Sequence, residues 1–562
     1  MKKITNHLVK AAMTLAMMLT LTACPPDDNN NTIIDEPTTS TPSEMKRNLI
    51  GTWKSGSSSN YDVYIFSSDG SVKFYQYAGS SQIQEKDYTY TFDTSSMVIK
   101  LTGNGETKNL KVTNVTSTTL ILDGTTFLKN NNWQPEDPSG GGSQNGERGP
   151  VAKSFKGSGT ESDPYIISNA PELRKLADDV NSGMTYRDEF FKITADIKIN
   201  KNVLNADGSL NGDGSNFEQW IPIGIDENHT FCGTLDGGMH KISGLYIDGM
   251  LLYEQGINAS GLFGRLSGTV KNLIINDSYI NGRYHNGSIA GEALTVKIND
   301  IIYYPMIQNI ISYTTIVAKS WTGGIVGYFT LNHKFPDNDQ ICEISNCLFK
   351  GLLISNTGGT TGGIAGRVII TGNNSFAPKL KSNGNIIIRN CVNYGDIIFN
   401  SHGGFGIGGL IGSVVNGCYG DDTGGSRFYI RNCANFGNIS FTETAGSGGL
   451  LGQSFGNKDR NWIYISNCVN YGITSNNVNS GAIIASMDDT DAYNNYYLET
   501  SCPRAFGYSG NSGTNYSMTA KQMKAQSFLN TLNSNAAALG DGYEQWGFGA
   551  DGFPTLEYIN NY

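Results

Sequence analysis

The sequence predicts an all-β protein: a small antiparallel β-barrel or sandwich, then a right-handed parallel β-helix (solenoid) with short helical caps. Three observations predict it. Glycine is abundant, at 69 of 562 residues, and charged residues make up only 16%, against about 25% in ordinary globular chains. Short apolar pulses of Ile, Val and Leu alternate with Gly and Asn. Finally, two tetrapeptide motifs recur along the second half, which is typical of repeat architectures.

Residues 1–23 are predicted to form a lipoprotein signal peptide. Lysines at the start precede an apolar run over residues 11–21. That run is shorter than the ~20 residues that span a bilayer, but it suits a signal-peptide core. Residues 21–24 (LTAC) resemble the lipobox of bacterial lipoprotein precursors. The resemblance implies that Cys24 is acylated and that the membrane is a partner through this lipid.

Residues 24–44 are predicted to form a flexible tether, because the segment is polar and rich in Pro, Thr and Ser. Asp27 and Asp28 resemble the acidic export signal with which some Gram-negative anaerobes send lipoproteins to the outer face. We therefore expect an outer-membrane lipoprotein exposed on the cell surface. Retention on the periplasmic side is the alternative.

Residues 45–130 contain short alternating strands separated by turns such as Gly103-Asn104-Gly105, which predicts an antiparallel meander closing into a small barrel. Residues 51–53 (GTW) resemble the Gly-x-Trp start of lipocalin-like lipoprotein domains. The resemblance implies that Trp53 plugs one end of the barrel. We expect a filled barrel without a ligand, followed by a linker over residues 131–156.

Two motifs recur after residue 260, and the asparagine of the second returns every 35 to 44 residues. Residues 261–485 are predicted to be solenoid repeats, residues 157–260 the N-terminal cap and first turns, and residues 486–562 the C-terminal cap. The first motif is a Gly-rich tetrapeptide, as at residues 261–264, 288–291, 324–327, 363–366, 409–412, 449–452 and, decayed, 481–484. The second has an apolar residue first and Asn third, as at residues 270–273, 307–310, 344–347, 388–391, 430–433 and 465–468.

The pulses favour stacked strands over stacked helices. Helical repeats need apolar stripes at i, i+3 and i+4 over ten or more residues, and the chain shows none. Glycine and asparagine tolerate the positive φ that tight corners require. Helical caps are expected at residues 173–180, and at residues 519–532 together with Trp546 and residues 553–556.

The order of segments resembles GLUG-motif repeats, which occur in bacterial adhesins and in the non-catalytic part of some immunoglobulin A proteases. The residues that carry the resemblance are 220–224 (WIPIG), 231–237 (FCGTLDG), 242–247 (ISGLYI) and 261–264 (GLFG). It implies an extended surface scaffold that acts in adhesion or display.

The sequence predicts no catalytic residue, no metal ligand set and no cofactor. Histidines form no HExxH pair, and residues 205–209 and 211–215 favour a flexible insertion over a calcium loop. Polysaccharide lyases or hydrolases need carboxylates projecting from aligned rungs, but the shared positions hold Asn, Gly, Ile and Ser. Arg389 and Arg431 align one rung apart. Four cysteines share one repeat position and are expected to be buried thiols rather than disulfides, namely Cys347, Cys391, Cys433 and Cys468.

Tyr394, Phe436 and Tyr471 share a further repeat position. They are the candidate ligand-binding strip, since sugar rings stack on such surfaces; an interior aromatic ladder is the alternative. The function we expect is a non-enzymatic adhesin or surface-interaction scaffold with a host protein or glycan as ligand. A glycan-capture lipoprotein and, less favoured, a β-helix polysaccharide lyase or hydrolase are the alternatives. The net charge of −10 argues against nucleic acid as a partner.

Overall fold

The computed structural model confirms the all-β class. The chain divides into two compact units, Met1–Glu136 and Asp137–Tyr562. The first contains an antiparallel barrel and the second a parallel solenoid; the hand of the solenoid stays a prediction. The described residues are 42–55, 60–67, 70–78, 81–116, 119–129, 148–332, 341–371, 384–400, 406–416, 427–441, 446–455, 463–474, 479–486, 490–507 and 513–561.

The first unit is a closed eight-stranded antiparallel meander that follows the helix Pro42–Leu49. Trp53 is fully buried in it, and its indole N–H donates to the Leu49 carbonyl at 2.7 Å. Its core is filled largely by aromatic and branched side chains. The strands are Gly51–Ser55, Asn60–Phe66, Ser71–Ala78, Ser81–Asp93, Val98–Gly103, Glu106–Val115, Thr119–Leu122 and Thr125–Lys129.

The second unit begins with strand Tyr165–Ile167 and the predicted capping helix, which spans Ala170–Asn181. The Asn169 side chain caps this helix by accepting from the backbone N–H of Glu172. Strands Phe190–Ile193 and Ile197–Lys198 follow. Arg174 and Glu218, each 1% exposed, form a bidentate ion pair with contacts of 2.6 and 2.5 Å, which fixes the helix to the first coil.

The coils between Thr234 and Phe455 each pass through four parallel sheets in the order sheet 1, sheet 2, sheet 3 and sheet 4. Sheet 1 contains Thr234–Ser243, Thr269–Asn276, Met306–Ser312, Ile341–Ser345, Leu348–Phe349, Asn385–Arg389, Val392–Asn393, Arg427–Arg431, Ala434–Asn435, Ile463–Ser466, Val469–Asn470, Thr490–Tyr493, Asn495–Leu498 and Asn515–Met518. Sheet 2 contains Tyr246–Asp248, Tyr279–Gly282, Thr315–Ala318, Leu352–Ser355, Asp396–Phe399 and Ile439–Phe441.

Sheet 3 is built from two-residue strands: Ala259–Ser260, His285–Asn286, Thr322–Gly323, Thr361–Gly362, Ile407–Gly408 and Ser447–Gly448. Sheet 4 contains Phe263–Leu266, Ala290–Leu294, Val326–Asn332, Ala365–Thr371, Ile411–Asn416, Leu451–Phe455 and Ile484–Ser486. A helix, Gly249–Glu254, precedes sheet 3, and a hairpin of Val296–Ile298 and Ile301–Tyr303 leaves the second coil.

Close packing explains both glycines of the tetrapeptide in the coils that have them. At the first, illustrated by Gly363, a Cβ would overlap the side chain of the buried Asn393 across the coil. At the second, illustrated by Gly327, a Cβ would overlap the backbone N of Asn286 in sheet 3. Sheets 3 and 4 therefore approach each other more closely than any side chain would allow.

The asparagine of the second motif occupies the positive-φ corner that the sequence predicts. Asn390 and Asn432, for example, have φ of 52° and 54°. Their amides also bond between rungs, since Asn432 Nδ2 donates to Asn390 Oδ1 at 2.9 Å. In the interior below this corner, the aligned cysteines are buried free thiols, as expected.

The C-terminal segment, residues 519–561, packs on the outer face of sheet 1. Its amide and carbonyl groups bond to the asparagine corners, including Asn432 Nδ2 to the Glu544 carbonyl at 2.9 Å. The indole N–H of Trp546 donates to Asn432 Oδ1 at 2.6 Å. Its elements are helices Ala520–Met523 and Gln526–Leu539, strands Trp546–Phe548 and Pro554–Leu556, and the 3-10 helix Glu557–Asn561.

Candidate functional site

The aromatic strip predicted from the repeats is stacked. The ring of Phe436 lies 4.3 Å from that of Tyr394 and 4.4 Å from that of Tyr471, with interplanar angles of 6° and 23°. The strip lies on the outer face of sheet 1, so it is not an interior ladder. Burial raises the pKa of Tyr471 well above its ordinary value.

The C-terminal segment covers this strip. Phe553 packs against Tyr471 with ring centroids 5.0 Å apart, and the Tyr471 hydroxyl donates to the Pro554 carbonyl at 2.8 Å. The Tyr394 hydroxyl lies 3.3 Å from Thr555 Oγ1. A ligand would reach the strip only after the segment had moved, so ligand binding here stays a prediction.

The other predicted site residue, Cys24, lies outside the described residues. Arg389 and Arg431 do lie on neighbouring rungs of sheet 1. Both serve the C-terminal segment: Arg389 donates to the Gly542 carbonyl, and Arg431 to the Tyr543 hydroxyl at 3.3 Å. Arg389 also pairs with Glu343 at 3.1 Å.

A different site lies where sheets 3 and 4 meet, and we call it the re-entrant corner. Two columns of residues line this corner, one from each sheet. Their side chains contact each other, as His285 does with Tyr328 and Glu292. The outer surface is therefore concave here. The sheet 4 column is in register over Arg265, Glu292, Tyr328, Arg367, Ser413 and Gln453. The sheet 3 column contains His285, Trp321 and Thr360. His285 is the first residue of its sheet 3 strand, whereas Trp321 and Thr360 each directly precede one.

Aromatic rings fill the middle of the re-entrant corner. The His285 ring stacks on Trp321 and Tyr328, with centroids 4.7 and 4.9 Å away and interplanar angles of 19° and 17°. Trp321 and Tyr328 are 5.3 Å apart. The guanidinium of Arg367 lies 5.0 Å from the Trp321 ring centroid, within the range of a cation–π contact.

At one end of the corner, the carboxylate of Glu292 is paired with the side chains of Arg265 and His285. Glu292 Oε1 accepts from His285 Nδ1, and Glu292 Oε2 lies 2.9 Å from Arg265 Nε. Burial alone would raise the pKa of Glu292, but the hydrogen bond and charge of His285 and the charge of Arg265 hold that pKa below its ordinary value. Both carboxylate oxygens are thus engaged, which leaves Glu292 poorly placed to act as a base.

At the other end of the corner, buried polar side-chain atoms lack hydrogen-bond partners. Thr360 Oγ1, Arg367 Nε and Ser413 Oγ are buried and have no hydrogen-bond partner within the part of the chain that the structure describes. Thr360 and Ser413 are only 5% and 1% exposed. An unpaired buried polar group costs about 1–3 kcal/mol, so three of them beside a row of aromatic rings indicate a place that holds water or a ligand.

Other chemistry suggested by the sequence resolves into local structure. Asp207 and Asp213 each accept from the backbone and hydroxyl of the serine two residues later. Across the described ranges, no group of three or more His, Cys, Asp and Glu side chains is arranged to hold a metal ion. The described helices include none that is long and apolar enough to cross a membrane.

The repeated motifs do not predict the re-entrant corner, although the sequence contains a signal for it. Each sheet 4 member is the residue directly after a Gly-rich tetrapeptide: Arg265 follows residues 261–264, and Arg367 follows residues 363–366. The position varies in identity from coil to coil, so a search for shared residues passes over it.

Comparison with known proteins gives limited similarity. Halomucin from Haloquadratum walsbyi is 28% identical over 193 residues, which are 34% of this chain and 2% of Halomucin, so the chain spans a small part of that relative. A solved structure of a proposed immunoglobulin A1 protease from Bacteroides ovatus superposes with a TM-score of 0.43 at 21% identity, over 72% of this chain and 95% of that one. No family model matches the chain. The role of the re-entrant corner therefore follows from its own residues.

Proposed function

We propose that the chain is a non-enzymatic, adhesin-like surface lipoprotein whose solenoid captures a glycan at the re-entrant corner. The observation that carries the proposal is the set of three unsatisfied buried polar groups beside Trp321 and Tyr328. Ligand sites combine apolar or aromatic walls with a few convergent polar groups. Sugars suit this combination, because they present both apolar ring faces and hydroxyls.

The proposal places the anchor at Cys24, on the strength of the lipobox-like segment and the signal peptide before it. The barrel then serves as a lipocalin-like spacer. Its support is that aromatic side chains, including Trp53, Tyr64 and Phe74, occupy the core that a ligand would need. The solenoid is a GLUG-like display scaffold, supported by the repeats that form its sheets.

A catalytic role is less favoured by the arrangement of carboxylates. Glycoside hydrolysis commonly uses two carboxyl groups that flank the scissile bond. The two columns of the re-entrant corner, as far as the structure describes them, contain one carboxylate, Glu292. Both of its oxygens are occupied by Arg265 and His285. Retention of a glycan without turnover is the behaviour this arrangement favours.

The test is a glycan and host-matrix array with the purified full chain in detergent, scoring product formation alongside retention. Trp321→Ala should weaken the retained glycan about tenfold or more, as loss of ~1.4 kcal/mol or more of stacking and contact area would. Tyr279→Ala is the matched control, because Tyr279 stacks on Tyr246 at 6.4 Å on sheet 2, away from the corner.

Equal melting temperatures for the two variants and the parent protein would show that the loss is local. Tyr328→Ala provides a second variant at the corner if Trp321→Ala proves unstable. Absence of any specific glycan retention would refute the proposal, as would cleavage of the bound glycan.

A further inference from the structure

The unsatisfied end of the re-entrant corner has a definite donor set. Arg367 and Ser413 are register partners on adjacent sheet 4 strands. Thr360 belongs to the same coil as Arg367 and occupies the sheet 3 position that Trp321 holds one coil earlier. Gly412, next to Ser413, packs against the backbone of Thr361, next to Thr360. The three unpartnered atoms, Nε and two hydroxyl oxygens, therefore belong to neighbouring positions of the corner.

The charge at this spot is positive and uncompensated. Arg265 is paired with Glu292, but no carboxylate of the described residues pairs with Arg367. The Trp321 ring lies 5.0 Å from this guanidinium, but an aromatic ring cannot neutralise a full charge. A half-buried guanidinium with a buried, unpartnered Nε is costly unless an anion completes it.

We propose that the glycan captured at the re-entrant corner is an acidic polysaccharide, and that Arg367, Thr360 and Ser413 hold the anionic group of one sugar. This inference rests on the proposed function and adds the ligand class to it. A guanidinium beside two hydroxyl donors matches a carboxylate or a sulfate ester, since charge-assisted hydrogen bonds to such oxygens are among the strongest in proteins. Trp321 and Tyr328, next along the columns, would take the ring of a neighbouring sugar.

The test compares polygalacturonate with the same polymer after its carboxyl groups have been reduced to alcohols. The full chain should bind the acidic form about tenfold or more tightly than the reduced form. Arg367→Gln should abolish this preference while retaining the weaker binding of the reduced polymer. Trp321→Ala should weaken both.

Arg427→Gln is the matched control, because this substitution removes the same charge at a different place. Arg427 is an exposed arginine on sheet 1, 5.7 Å from the centroid of the Tyr464 ring. It should leave the preference unchanged. Dextran sulfate and neutral dextran form a parallel pair: a preference for the sulfated polymer that Arg367→Gln removes would identify sulfate rather than carboxylate as the anion.

Four outcomes overturn the inference. Equal binding of charged and neutral polymers would leave the proposed glycan capture standing but refute the acidic ligand. A preference that survives Arg367→Gln, or disappears equally in Arg427→Gln, would place the charge recognition elsewhere. Single-stranded DNA bound as tightly as the polysaccharide would make the corner a general polyanion site.

Discussion

At the scale of single residues, the corner asparagines combine two roles that few side chains can combine. Each adopts the left-handed conformation, which costs most other L-residues roughly 1–2 kcal/mol. Their amides also link rungs, as Asn390 Nδ2 does by donating to Asn346 Oδ1 at 2.8 Å. Glycine would supply the conformation without the link, so asparagine is the residue that satisfies both requirements.

Glu292 shows how a single residue makes the re-entrant corner sensitive to pH. Its pKa is held below the ordinary 4.5 by His285 and Arg265. A depressed carboxyl stabilises the fold above its unfolded-state pKa, and that contribution is lost as the pH falls through the folded-state pKa. Acid should therefore loosen this corner from about pH 4.5 downwards.

Glu292→Gln tests this directly. The variant should be less stable than the parent protein at pH 7 by about 1–3 kcal/mol, because a buried charge-assisted network is weakened. Below pH 4.5 the two stabilities should converge, as measured by urea unfolding at a series of pH values. Asp300→Asn is the control, since Asp300 pairs with Lys297 on the surface and its loss should have little effect. Parallel pH curves for Glu292→Gln and the parent protein would contradict the assignment.

At the scale of elements, the C-terminal segment changes the meaning of the aromatic strip. The strip is a seam between two parts of one unit rather than an open platform. Tyr471 is the centre of this seam: it is 7% exposed, it packs on Phe553, and its hydroxyl is bonded. Aromatic burial of this kind contributes mainly to stability.

Tyr471→Ala should therefore lower the free energy of unfolding by about 3–5 kcal/mol, which is the usual cost of truncating a buried aromatic side chain. Tyr471→Phe should cost about 1 kcal/mol through the lost hydrogen bond. Phe455→Ala is the comparison, because Phe455 is 38% exposed and its truncation should matter far less. Unchanged melting of Tyr471→Ala together with lost glycan retention would restore the strip as a binding face.

At the scale of the whole molecule, the sequence predicts the architecture better than the site. The asparagine motif marked corners correctly because identical residues recur. The sequence predicts the decayed tetrapeptide at residues 481–484, which is one residue too early. Gly481 pairs with Gly448, and Ile484 with Leu451, so residues 482–485 occupy its place. Ala482 and Ala485 stand where the preceding coil has Gly449 and Gly452, so the sequence no longer shows where the tetrapeptide begins.

The re-entrant corner was beyond sequence analysis for a different reason. Its members follow no repeated identity from coil to coil, and their proximity depends on how closely sheets 3 and 4 approach. The cover on Tyr394 and Tyr471 was equally hidden, because Phe553 and Pro554 come from a segment whose docking no local pattern specifies. Repetition predicts rungs, whereas contacts between unlike segments require the folded chain.

The whole-molecule prediction concerns the anchor. Cys24→Ser should move the protein from the membrane fraction to the soluble fraction, because the acyl chains on Cys24 are the proposed attachment. Immunoblotting of fractionated cells measures this, and protease treatment of whole cells tests surface exposure. A serine substitution in the tether, Thr38→Ser, is the control. A Cys24→Ser protein that stayed in the membrane fraction would contradict lipid anchoring.

The hydrogen bonds between the C-terminal segment and sheet 1 also constrain how the solenoid can change in length. The segment bonds to the rungs of Asn346, Asn390, Asn432 and Asn467, and Asn535 reaches the Tyr496 hydroxyl at 3.0 Å. The spacing of bonding groups along the segment therefore matches the spacing of these rungs. A coil duplicated among these rungs would move some of them away from their hydrogen-bond partners in the segment. A coil added nearer the N-terminal cap would leave all of these hydrogen bonds in place. Growth by duplication is therefore tolerated at one end of the solenoid and resisted at the other.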